Sequence, residues 1–195
     1  DGIKGPMSVT NCICRQATDL LGQPCKHTSL RESCIQFGSA ARMYVEDKRA
    51  RYIAKEEALE ILRKAQDEGL VLEILNATKP TAICTCCEDC CGYLTNVKKL
   101  PRPAEFLPSS YYVQVDPESC TACETCVNMC PMGARTIRGN VSEVDTERCI
   151  GCGVCVPACQ TGANKLVRKE KAVVPAKDAF AMYMQIMDNK VRVKR

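Results

Sequence analysis

The chain has 195 residues, with 27 lysines and arginines against 23 aspartates and glutamates and a formal charge of +4, a length that suits one ordinary domain or two small ones. No stretch approaches the roughly 18 uninterrupted apolar residues of a membrane span, and the opening Asp1-Gly2-Ile3-Lys4 lacks the basic and apolar regions of a secretory signal. Asp1 is no initiator residue, which leaves room for a removed segment; a cytoplasmic location without membrane insertion is the expectation.

The unusual number is 17 cysteines. Such density in a small secreted protein means a disulfide framework. Here the count is odd, no export signal is visible, and Cys86-Cys87 and Cys90-Cys91 are adjacent pairs. Neighbouring cysteines rarely bridge each other, because the small ring strains the peptide between them. Thiolates on metal in a reducing compartment fit better.

In chain order, residues 1–95 carry nine of these cysteines in two groups: Cys12, Cys14, Cys25 and Cys34, then Cys84, Cys86, Cys87, Cys90 and Cys91. Between them, residues 30–46 read as a helix. Residues 55–68 place Ala58, Leu59, Ile61, Leu62 and Ala65 on one helical face, leave Glu56, Glu57 and Glu60 on the solvated face, and end at Gly69. Residues 70–75 read as a short strand. A mostly helical, cysteine-rich domain over 1–95 is the expectation. Residues 96–110, with Pro101, Pro103, Pro108, Ser109 and Ser110, read as a linker.

Residues 111–168 contain one unit written twice. Val115-Asp116-Pro117-Glu118-Ser119-Cys120 is echoed by Val144-Asp145-Thr146-Glu147-Arg148-Cys149, 29 residues on. The same offset carries Cys123, Cys126 and Cys130 onto Cys152, Cys155 and Cys159, and Gly133-Ala134 onto Gly162-Ala163. The first copy runs C-x2-C-x2-C-x3-C-P. Three cysteines at intervals of three reach three iron corners of one cubane, and in two-cluster proteins the fourth ligates the other cluster. Cys120, Cys123, Cys126 and Cys159 are therefore expected on one [4Fe–4S] cluster, and Cys149, Cys152, Cys155 and Cys130 on a second. Gly151 and Gly153 free backbone N–H groups for the inorganic sulfides. Ala122 stands where the second copy has Gly151, and Gln160 where the first has Pro131. Zinc ribbons instead pair two-cysteine knuckles about 15–20 residues apart, and this spacing departs from that. Eight thiolates on two oxidised cores subtract about four charges, so the loaded chain is near neutral and nucleic acid is not an expected partner.

Residues 169–195 form a tail. A helix over 177–189 carries Met182, Met184 and Met187, with Phe180, Met184 and Met187 on its apolar face; it is read either as packed on its own domain or as a docking helix. Lys190, Arg192, Lys194 and Arg195 read as a solvated tail.

On these motifs, residues 111–168 resemble bacterial-type 2[4Fe–4S] (dicluster) ferredoxins. That resemblance implies a pseudo-twofold βαββαβ fold, a pair of two-stranded sheets, two short helices and low-potential one-electron transfer. The front half, through Cys12-Ile13-Cys14-Arg15, Gly69-Leu70-Val71 and Cys84 to Cys91, resembles a ferredoxin-like family from anaerobes. In that group a His often follows the Gly-Leu-Val and an Asn often separates the first two cysteines of the later segment; Leu72 and Thr85 stand there here.

The fold class expected is α+β. The nine front cysteines make a third site, an iron–sulfur cluster ahead of zinc, the natural expectation, with its ligands open among them. His27, the single histidine, reads as a surface residue. No phosphate loop or nucleophile elbow is present. The chain reads as an iron–sulfur electron-transfer protein, or as the subunit of a larger anaerobic oxidoreductase, passing single electrons between redox proteins. The alternatives are a reductase with a substrate-binding cluster in its front half, and a cluster or thiol redox sensor.

Overall fold

A computed structural model of the chain describes residues 5–107 and 109–193. Asp1–Lys4, Pro108 of the expected linker, and Lys194 and Arg195 of the tail lie outside the described residues. The front half is built on a five-stranded sheet ordered β3-β1-β2-β5-β4. Its strands are β1 (Met7–Asn11), β2 (Glu32–Phe37), β3 (Arg51–Ile53), β4 (Val71–Ile74) and β5 (Ala82–Cys86), and every pairing is antiparallel.

This corrects the mostly helical domain expected from sequence. The helix expected over 30–46 is a strand, β2, followed by the helix α2 (Gly38–Glu46). The signal was hidden because the strand buries polar groups. Ser33 and Ile35 are fully buried and Gln36 nearly so, and Gln36 Oε1 accepts a hydrogen bond from the buried Ser8 hydroxyl at 2.9 Å. A buried polar side chain with a partner costs little, so this strand shows no alternation of apolar and polar residues.

Helix α1 (Ile13–Leu20) follows β1, and α3 (Lys55–Asp67) lies where sequence placed it. Glu56 and Glu57 in the first turn of α3 and Lys64 in its last suit the helix dipole. Gly69 terminates it with φ +75°. The Leu70 N–H reaches Ala65 O and the Gly69 N–H reaches Gln66 O, closing the last turn. Ala58, with Ile61 and Leu62 beside it, packs on Val9, Ile35, Phe37 and Ile53 of the sheet. Leu59, expected on that face, is exposed. Each fully buried aliphatic here contributes about 1.5–3 kcal/mol.

Residues 96–107 finish α4 (Gly92–Val97) and form the single turn α5 (Pro103–Phe106). They are packed: Val97 and Pro103 are buried. Arg148, next to Cys149, donates to Lys98 O at 3.0 Å, Leu100 O at 3.3 Å and Met132 O at 2.9 Å. One apolar cluster runs from Val71, Cys86, Cys91 and Leu94 into Met132, Ile150 and Val154, joining the two halves of the chain.

The second half pairs β6 (Tyr111–Val115) with β9 (Asn164–Arg168) and β7 (Arg135–Arg138) with β8 (Val141–Val144). These are the two small sheets that the ferredoxin resemblance implied. The first copy has one turn of helix, α6 (Thr125–Asn128), and the matching stretch of the second copy is built of turns. The terminal helix α7 (Ala179–Val193) leaves Phe180, Tyr183 and Met187 exposed. The approach to α7 is fastened to the front half by a bridge between Ala77 and Ala176. No helix among the described residues is long and apolar enough to cross a membrane.

Candidate metal centres

Each repeat must wrap a tight cysteine loop, and the backbone shows how. Gly151 and Gly153 take left-handed φ values of +64° and +77°. Their counterparts Ala122 and Glu124 adopt the same conformation, at +52° and +62°, without being glycine. A non-glycine residue held there costs about 1–2 kcal/mol, so both copies take the same loop shape even where the sequence does not favour it. Gly151 has a second reason: a Cβ there would stand 2.1 Å from Tyr111 O.

Two cavities result. One is lined by Cys149, Cys152 and Cys155 of the second copy and Cys130 of the first. The other is lined by Cys120, Cys123 and Cys126 of the first copy and Cys159 of the second. The fourth cysteine of each repeat thus stands in the other repeat's cavity. Backbone N–H groups point at sulfur, Ala134 to Cys130 at 3.2 Å and Ser142 to Cys120 at 3.4 Å. Four thiols per cavity, with amide donors aimed at sulfur, fit a cubane cluster.

The two cavities differ in polarity. The cavity of Cys149 has Val113, Met132, Ile150 and Val154 in its walls, with the single cation Arg135 among them, and burial pushes Cys152 up to about 11 and Cys155 up to about 12. The other has Thr121, Thr125, Ser142, Thr161 and Asn164. Burial opposes ionisation of Cys126, but the Ser142 hydroxyl and the Arg135 guanidinium together hold its thiol below the ordinary value. Arg135 is itself buried and donates to Cys126 Sγ at 3.3 Å. Sequence reading missed Arg135; the available signal was its place 29 residues before Asn164, at the equivalent position of the repeat.

The front cysteines separate into two groups, and strand alternation does the sorting. Cys84 and Cys86 share one face of β5, while Thr85 and Cys87 point the other way. On the first face Cys34 Sγ lies 4.0 Å from Cys84 Sγ. Cys86 donates to Glu73 at 3.3 Å, and Glu73, Cys86 and Cys91 form a compact set of ligand atoms. Cys14 lies beside Cys12, Cys84 and Cys91. Hydrogen bonds from Cys34 and Cys86 pull Cys84 down to about 3, and one from Cys86 pulls Cys91 down to about 6. Cys34 and Cys86, the donors, are pushed up in return.

On the opposite face Cys25, Cys87, Asp89 and Cys90 converge. Arg15 lies under this face with no exposed surface. Its guanidinium donates to Ser33 Oγ at 2.9 Å, to Leu30 O at 3.2 Å and to the Thr85 carbonyl. Sequence reading gave Arg15 no role beyond its place after Cys14. Leu72 and Thr85, the two positions that depart from the resembling group, are register partners across β4 and β5. His27 is partly exposed, with its Nε2 3.6 Å from Glu88 Oε1.

A search of curated proteins finds no match. The geometry and the comparison with protein families agree on the second half: residues 112–160 match the 4Fe-4S dicluster domain, and this part of the chain is a dicluster ferredoxin-type segment.

Proposed function

We propose that this chain is an electron-transfer protein or redox-enzyme subunit that takes single electrons from one protein partner and gives them to another. The observation that carries the reading is the pair of cavities, each lined by three cysteines of one repeat and the fourth of the other. Cys120, Cys123, Cys126 and Cys159 would hold one [4Fe–4S] cluster, and Cys149, Cys152, Cys155 and Cys130 the second. When bound, each cluster supplies a reversible one-electron couple.

The residues around the cavities set how readily each site accepts negative charge. The Arg135 guanidinium, which donates to Cys126 Sγ, and the hydroxyls of the first copy's cavity favour the reduced form there, while Arg135 also stands among the apolar walls of the other cavity. The face bearing Cys34, Cys84, Cys86 and Cys91, with Cys12 and Cys14 nearby, is proposed as a third iron–sulfur site. Its support is position: Cys86 and Cys91 belong to the apolar cluster against which Cys130, Cys149 and Cys152 pack. Of the two readings of the terminal helix, its exposed apolar side chains favour partner docking.

The test is iron and acid-labile sulfide analysis of anaerobically prepared chain, with about eight of each for the two repeats alone and more if the third site is filled. Cys159→Ser should perturb the spectrum of the cluster held by the first copy. A change confined to the second copy's cluster overturns the crossed assignment.

A further inference from the structure

Cys25, Cys87, Cys90 and Asp89 lie apart from the proposed iron–sulfur sites, and their ligand atoms all fall within 4.8 Å of one another. Cys25 Sγ is 3.7 Å from Cys87 Sγ and 3.6 Å from Asp89 Oδ1. Metal–sulfur bonds of 2.3 Å in a tetrahedron place the ligand sulfurs about 3.8 Å apart. We propose that Cys25, Cys87, Cys90 and Asp89 form a mononuclear, tetrahedral zinc site.

Donor chemistry selects the ion. Three thiolates with one carboxylate suit zinc and exclude magnesium and calcium, which take oxygen ligands. Four protein ligands close the shell, so the site is structural rather than catalytic. Cys87 and Cys90 are buried among Ala65 and Leu70, with Cys25 and Leu30 against them, and Asp89 closes the set from the exposed side.

The surroundings are arranged for this charge. Asp89 Oδ2 accepts the Lys26 backbone N–H at 2.8 Å, which turns its other oxygen toward Cys25. Thr18 Oγ1 lies 3.4 Å from Cys90 Sγ. Three thiolates and a carboxylate on a dication leave two net negative charges. Arg15 is fully buried near Cys12, Cys87 and Cys25, and its Nε has no hydrogen-bond partner. Among the described residues no carboxylate pairs with it. A buried cation without a counter-charge is costly; the metal-held thiolates supply that counter-charge.

The effect is a staple. Cys25 sits in a stretch, residues 21–31, without helix or strand, and Cys87 is 62 residues further along the chain. Zinc would tie that stretch to the turn after β5, and so fix one side of the strand whose opposite face carries Cys84 and Cys86.

The experiment uses full-length chain prepared without oxygen, with zinc and iron measured together. One zinc per chain is expected. Cys25→Ser with Cys90→Ser should remove it while leaving cluster iron unchanged, and Cys34→Ser should leave it in place. Asp89→Asn should speed zinc loss to a chelator by roughly tenfold or more. Cobalt substituted into the unmodified chain should give thiolate charge-transfer and tetrahedral ligand-field bands, a readout independent of whether any variant folds. Absence of zinc and of the cobalt bands overturns the site, as does loss of iron from the Cys25→Ser, Cys90→Ser chain.

Discussion

Arg135 Nη2 donates to Asn164 Oδ1 at 2.6 Å, and the two residues occupy equivalent positions of the two repeats, 29 apart. Both are buried. Asn164 turns its amide to Cys155 O at 3.0 Å, whereas Arg135 reaches Cys126 Sγ at 3.3 Å. Cys126 and Cys155 are themselves equivalent. The pseudo-twofold is thus closed by one hydrogen bond and broken in charge by the same pair.

Replacing Arg135 with Met removes a buried positive charge and a donor to sulfur. The reduced site carries one more negative charge than the oxidised, so its stabilisation is what is lost. The potential of the first copy's site should fall, on the order of 60 mV, one decade for a one-electron couple. Anaerobic redox titration measures it. An unchanged or raised potential removes the Arg135 hydrogen bond from what sets the first copy's potential.

The left-handed positions give a paired test. Gly151→Ala drives a methyl into Tyr111 O, with no room to relax in β6, and should cost about 1–3 kcal/mol. Ala122→Gly relieves a left-handed alanine and should be neutral or stabilising by roughly 0.5–1 kcal/mol. Denaturant midpoints of the loaded proteins read both. Equal effects of the same sign would contradict the asymmetry.

The front thiols predict a pH dependence in reduced, metal-free chain. Cys84 is exposed, and the hydrogen bonds from Cys34 and Cys86 hold it down at about 3. A depressed value means the thiolate persists above that pH. Alkylation of Cys84 should be nearly flat from about pH 5 to about pH 7, where an ordinary thiol gains about tenfold per unit. Cys34, pushed up by its hydrogen bond to Cys84 and by burial, should remain unlabelled. Peptide mass spectrometry assigns the sites. A Cys84 rate that climbs tenfold per pH unit counts against a shared proton between Cys34 and Cys84.

Metal removal should act unevenly. The strands β6–β9 and β7–β8 form two sheets of two strands each, and such pairs are marginal alone. Stripping the clusters should expose residues 111–168 to protease at least tenfold faster, on the logic that metal binding is folding energy there. The Val9, Ile35, Phe37 and Ile53 core owes nothing to those clusters and should stay protected. Equal protection of both halves would show that packing, not ligation, holds the ferredoxin-type segment.

Much of the site was legible in the sequence because metal ligation is written in spacing. The cysteine intervals and the 29-residue offset are local constraints, and they sufficed to expect the crossed sets that now line the two cavities. Helix α3 and its Gly69 stop were legible for the same reason, since period and cap are properties of neighbouring residues. The terminal helix was legible too, but not which side of it meets protein.

The sheet order, the packing of residues 96–107 and the sorting of the front cysteines were decided only in three dimensions. Cys86 and Cys87 are adjacent in sequence and look identical as ligands. They part because successive side chains on a strand face opposite ways, and because β5 lies between β2 and β4 rather than at an edge. Strand pairing across distant segments brings Cys34 to Cys84, 50 residues away, and the fold brings Cys25 to Cys87, 62 residues away. Such long-range contacts carry no local periodicity. Cysteine spacing by itself marked out the two four-cysteine sets of the repeat; the sheet decided which of the front cysteines lie together, because pairing between distant strands is not written in local spacing.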